Sequence, residues 1–137
     1  MRKSFSMVSV ILVFSALVLS ACGGSSTADT PNIPAEYAGK TNPLGSDAAA
    51  AGQAIYVVQC ASCHGDSGMG DGPAGQALTP PAANLVESNT KYGDDYLYYR
   101  ISEGGTMHPY NSSMPPFKNV LSEDEIWQVV AHINTFK

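Results

Sequence analysis

No run of alternating apolar and polar residues long enough for a half-buried strand occurs in this 137-residue chain, which excludes a sheet-based domain and leaves an all-α one. The same absence removes the βαβ setting in which a Cys-x-x-Cys pair acts as a redox disulfide. Histidines number three and cysteines three, and no second pair has the spacing of a zinc half-site, so a closed zinc centre is not built here. Basic residues are scarce, 7 against 12 acidic. Two of the seven, Arg2 and Lys3, lie in an export-type leader, so a mature chain has 5 against 12, a net charge of −7. That surface disfavours nucleic acid and anionic lipid, and suits a partner with a positive docking face. There is no internal repeat, and the length allows one small domain.

What is present begins with that leader. Arg2 and Lys3 precede a largely apolar run from Met7 to Leu19, the pattern of a signal peptide and too short for a comfortable membrane span. The segment Leu19-Ser20-Ala21-Cys22 resembles the lipobox of bacterial lipoproteins. The resemblance implies residues 1–21 as signal peptide and Cys22 as the lipidated first residue of the mature chain. It also implies a place at the outer face of the cytoplasmic membrane or in the periplasm. Residues 22–47 are rich in Gly, Ser, Thr, Pro, Asn and Ala without apolar period, and are expected to form a flexible linker. Residues 48–137 form the domain.

Three helices are expected in it. The first runs from about Asp47, as cap, through Cys60. The second covers Asp94 to Glu103, with acidic residues in its first turn and Gly104-Gly105 as its stop. The third starts at the capping-box sequence Ser122-Glu123-Asp124-Glu125, carries Ile126, Val129, Val130 and Ile133 on one face, and reaches almost to the end. Between the first two lies a long Gly- and Pro-rich stretch, Gly65 to Lys91, which needs something to wrap.

Cys60-Ala61-Ser62-Cys63-His64 is the attachment signature for haem c. Each thiol can add to one vinyl group, and the adjacent His64 becomes an axial ligand of the iron. A second ligand of electron-transfer haems is often methionine, whose soft sulfur favours ferrous iron. Met69 is too close to His64 in sequence to reach the opposite face. Met114 is the choice, because Pro115-Pro116-Phe117 stiffens the chain around it. His108 and Met107 are the weaker alternatives.

Taken together, Gly52-x3-Tyr56-x3-Cys60-x2-Cys63-His64, Gly70-Asp71-Gly72-Pro73, Ile101-x2-Gly104 and Met114-Pro115-x-Phe117 resemble the class I monohaem cytochromes c over about residues 48 to 137. The resemblance implies three main helices and long loops wrapped around one covalent haem c. It implies that the first and last helices cross at Gly52, flanked by Tyr56 and Val129. It further implies that the carbonyl of Pro80 or Pro81 accepts a bond from the His64 ring. The family usually has an aromatic residue at position 132, so His132 is read as a packing substitute and not as a ligand. Trp127 reads as core filling that takes over some of the aromatic packing, Tyr96, Tyr98 and Tyr99 as haem contacts or a cover for the second helix, and Arg100 as a solvated side chain or a propionate partner.

The expected function is single-electron transfer between respiratory or photosynthetic complexes, without a small-molecule substrate and without nucleic acid. The chain would be membrane-tethered through its lipid, with redox proteins or subunits of a membrane complex as partners. A permanent subunit of a quinol-oxidising complex, of the alternative complex III type, or of a terminal oxidase is the other reading. An open-iron sensor or peroxidase is the third.

Overall fold

In the computed structural model, which describes residues 32–137, six α-helices account for the regular structure, and there is no strand among the described residues. They are α1 (Ala49–Gln59), α2 (Ala61–His64), α3 (Pro73–Gln76), α4 (Leu85–Lys91), α5 (Asp94–Glu103) and α6 (Glu123–Ile133). No helix among the described residues is long and apolar enough to cross a membrane.

Helices α1 and α6 make the main packing contact, and Gly52 is the reason they can. A Cβ at that position would lie 1.8 Å from the carbonyl oxygen of Gln128, so only glycine permits this approach. Tyr56 and Val129, both fully buried, flank the crossing as expected. His132 is buried beside them, its ring 5.1 Å from that of Tyr56 and 5.0 Å from that of Phe136, where an aromatic residue would pack. Helix α5 lies against α6, with Leu97 and Ile101 buried and Tyr98 stacked on Trp127 at 4.2 Å.

The bounds of α5 agree with the sequence, and Ser122 and Glu125 close the capping box of α6. Three expectations change. Asp47 does not cap α1: residues 46–48 form a single 3₁₀ turn that leads into the helix, so its first N–H groups face no side-chain acceptor. The long loop contains two short helices, of which α4 is capped by the Asn84 side chain accepting from the N–H groups of Val86 and Glu87.

The third change is larger. The expected linker, over its described part from residue 32 to 47, lies against the domain. Tyr37 and Leu44 pack on the core. The N–H groups of Gly39 and Asn42 donate to Asp95 and Asp94 at 2.8 and 3.1 Å, and Asn42 Nδ2 donates to the Trp127 carbonyl at 2.7 Å. The Tyr37 hydroxyl donates to Glu103, which also pairs with Lys118 at 2.8 Å. A polar composition hid this strap because its attachment rests on isolated side chains and main-chain donors, not on an apolar period. The leader, Cys22 and the first part of that linker lie outside the described residues.

Candidate functional site

The Cys60–His64 pentapeptide follows α1 almost without interruption. Its helical turn is continued by the N–H groups of Cys63 and His64, which donate to the Cys60 carbonyl at 3.1 and 2.9 Å. This turn presents Cys60, Cys63 and His64 to one apolar cavity of about 320 Å³. Both cysteines are half-buried and free of disulfide. Burial pushes the Cys60 thiol up to about 12, with the neighbouring Cys63 acting in the same direction, so it stays protonated at neutral pH. Burial likewise lowers the His64 imidazole below its usual range; the Ala83 carbonyl opposes this and the Arg100 charge reinforces it.

His64 Nδ1 lies 2.9 Å from the carbonyl oxygen of Ala83. This corrects the expected partner: Pro80 and Pro81 line the cavity but do not supply the acceptor. Ala83 immediately precedes Asn84, the cap of α4. With Nδ1 so engaged, Nε2 is the ring nitrogen left for a metal.

Met114 lines the same cavity, as do Pro115 and Phe117. The C-terminal end of α5 fixes this segment. The Gly105 N–H donates to the Met114 carbonyl at 2.9 Å, and the Phe117 N–H donates to that of Ile101 at 3.0 Å. Gly104 has φ +72°, and a Cβ there would meet the Met114 carbonyl oxygen at 2.6 Å. Met107 and His108, the weaker alternatives, do not line the cavity, and His108 is exposed; Met69 is also exposed. Nor does His132 line it.

Leu78, Leu85, Ile101, Val129 and Ile133 make the rest of the lining largely apolar. Polar residues interrupt it, and three of them stand out. Arg100 Nη1, the Tyr110 hydroxyl and Ser112 Oγ are buried without a hydrogen-bond partner, and all three residues line the cavity. The Arg100 guanidinium also lies over the Tyr110 ring, 3.5 Å from its centroid. Orphaned donors on the wall of an apolar cleft call for an anionic group, and a haem carries two carboxylates. The residues therefore fit haem c: two thiols for its vinyl groups, imidazole nitrogen and thioether sulfur for iron, and donors for propionates. Among the described residues no three His, Cys, Asp or Glu side chains converge on a common metal position. The sequence left Arg100 undecided and did not mark Tyr110 or Ser112, which are ordinary loop residues until the fold turns them inward.

A helical shell around a cleft of this donor set defines a cytochrome c fold. Residues 47–133 match the family described as cytochrome C oxidase, cbb3-type, subunit III, and the chain belongs to that family of cytochrome c domains, which carry haem c and transfer electrons. It is 34% identical over 91 residues to cytochrome c-554(547) of Halothiobacillus neapolitanus, covering 65% of this chain and 97% of that protein. It is also 34% identical over 101 residues to a thiosulfate dehydrogenase of Stutzerimonas stutzeri, covering 68% of this chain but only 29% of that protein. Among solved structures, a chain of the Kuenenia stuttgartiensis reducing HAO-like protein complex shares the fold, with TM-score 0.52 and 24% identity over 66% of this chain and 44% of that one.

Proposed function

We propose that this protein is a lipid-anchored carrier of single electrons, with one haem c attached through Cys60 and Cys63 and held between His64 and Met114. The observation that carries this reading is that all four residues line a single apolar cleft. When bound, the haem supplies an iron that alternates between ferrous and ferric states.

The chain's own part is to keep that change small. The Ala83 carbonyl orients the His64 ring. Two main-chain bonds to α5 and two prolines hold the Met114 segment, so neither ligand has to move when charge changes. The thioether favours the ferrous form, and the apolar lining excludes water, which also disfavours added positive charge. Arg100, Tyr110 and Ser112 would hold the carboxylates. Cys22 would carry the lipid and place the domain at the outer face of the cytoplasmic membrane, where an acidic surface meets positively charged faces of respiratory or photosynthetic partners.

One observation favours the second reading, a permanent subunit of a larger oxidoreductase: the matched family is described as an oxidase subunit. Extraction from membranes under mild detergent separates the two. Recovery as a monomer with haem retained after denaturation supports the carrier. Co-purification in fixed proportion with other subunits supports the second reading, and a denatured chain that loses its haem overturns covalent attachment.

A further inference from the structure

The two residues after Met114 are Pro115 and Pro116, which have no N–H to donate, so no backbone donor holds that stretch. Both are exposed. The segment is secured farther on, where three ties run in order to the last turn of α5. The Phe117 N–H donates to the Ile101 carbonyl at 3.0 Å, and the Lys118 N–H donates to the Ser102 carbonyl at 3.2 Å. Lys118 Nζ then donates to both Glu103 oxygens, at 3.0 and 2.8 Å. Taken alone, the third tie would be weak. A pair of this kind near the surface usually contributes little, because two long side chains must give up their rotamers to hold one geometry.

Glu103 has given up that freedom already, because its carboxylate also accepts the Tyr37 hydroxyl from the strap. The Tyr37 ring rests on those of Tyr99 and Tyr98, 5.2 and 6.1 Å between centroids, and both of these are buried. Its hydroxyl is therefore delivered to Glu103 from a fixed seat. At the other end of α5, the strap is held by the bonds from Gly39 and Asn42 to Asp95 and Asp94. Lys118 thus meets a partner whose position is preset, which is the condition under which a charged pair becomes strong. The two bonds, that of Lys118 first and that of Tyr37 next, also hold Glu103 below the usual carboxylate range, so it stays ionised at neutral pH. Tyr37 lies outside residues 47–133, the part matched by the family, so this support is an addition to the common domain.

We propose that Tyr37 is a positioning residue for the Met114 ligand: through Glu103 and Lys118, its hydroxyl holds the segment that carries the thioether against the end of α5. The proposal rests on the haem reading above. Without the hydroxyl, Glu103 turns to solvent and Lys118 follows it. The segment is then left with its main-chain bonds alone, and the thioether leaves its place more often.

The test measures imidazole binding to the ferric holoprotein, since added imidazole competes with the Met114 thioether, together with amide hydrogen exchange at Phe117 and Lys118. Tyr37→Phe, which keeps the ring on Tyr98 and Tyr99, should bind imidazole severalfold more tightly and exchange those two amides severalfold faster. Glu103→Gln should do the same. The double variant should go no further than either single one, because the two residues act in series. Thr135→Val, which removes one hydroxyl bond at the end of α6, should match the parent. A Tyr37→Phe protein that keeps the methionine band and binds imidazole as the parent does overturns the proposal. So does simple addition of the two effects, or an equal gain in Thr135→Val, which would mean general loosening. A parent without haem absorption, or without the methionine band, sinks the haem reading or its ligand before imidazole is added, and amide exchange then decides the Tyr37 link by itself.

Discussion

The carbonyl of Met114 accepts the backbone N–H of Gly105 at 2.9 Å, which ties the thioether-bearing residue to the end of the helix that also carries Arg100. Met114→Ala should remove the methionine-to-iron absorption band in the far red and lower the reduction potential, both read by spectroelectrochemical titration. Met107→Ala should leave both unchanged. If Met107→Ala removes the band, the ligand is misassigned.

Gly52→Ala is expected to cost at least about 1–3 kcal/mol, the usual range for overpacking, because the added carbon meets main-chain atoms of α6 and not a side chain that can rotate away. Urea denaturation of the holoprotein measures it. A shift below a few tenths of a kcal/mol would mean that the two helices are not in contact at this point.

Removing the Ser122 hydroxyl should lower stability by about 1 kcal/mol, since it accepts from the Glu125 N–H at the start of α6. Ser122→Asp should restore most of the loss. Both variants are compared with the parent by thermal unfolding.

Stability should fall on mild acidification through His132. Burial holds its pKa below the ordinary value, so the unfolded chain binds the proton more readily than the folded one. The contribution is present at neutral pH and is lost as pH drops from about 6.5 toward the lower folded-state value. His132→Phe keeps an aromatic ring between Tyr56 and Phe136 and removes the titration. Its denaturation midpoint should change less than the parent's over that window; equal slopes would assign the pH dependence to other groups.

A chain shortened to begin at Gly45 should be less stable than one that begins at Asn32 by about 2 kcal/mol or more. The shorter chain loses the half-buried Tyr37 and Leu44 together with the bonds from Gly39 and Asn42. Equal stability of the two would return the segment to the status of a linker.

Features held in side-chain identity at fixed spacing were legible before any coordinates. The pentapeptide, the bounds of α5, the capping box of α6 and the need for glycine at 52 each follow from a residue whose chemistry admits few settings. The location of Met114 on the cleft, with Met107 and His108 off it, also agrees with the stiffness of the Pro115-Pro116 segment. What could not be read resides in the main chain or in the sum of single contacts. Ala83 is the clearest case, since the group that matters is a carbonyl that every residue has. A signal for α4 did exist in Asn84-Leu85-Val86-Glu87, a cap followed three residues later by glutamate, but seven helical residues are too few to show an apolar period. Arg100 and Ser112 acquire meaning only when Gly104 and Gly105 turn the chain back over α5.

The ordered strap changes the reach of the molecule. If Cys22 is fixed in a bilayer and Tyr37 is the first residue of the strap seated on the domain, anchor and domain are fifteen residues apart and not twenty-five. Fully extended, these span at most ~50 Å and ~85 Å respectively. The volume the redox centre could sample around its anchor would then contract by roughly fivefold, and its effective concentration near a neighbouring complex would rise by the same factor. A carrier anchored in this way would serve partners beside it and give up those farther along the membrane.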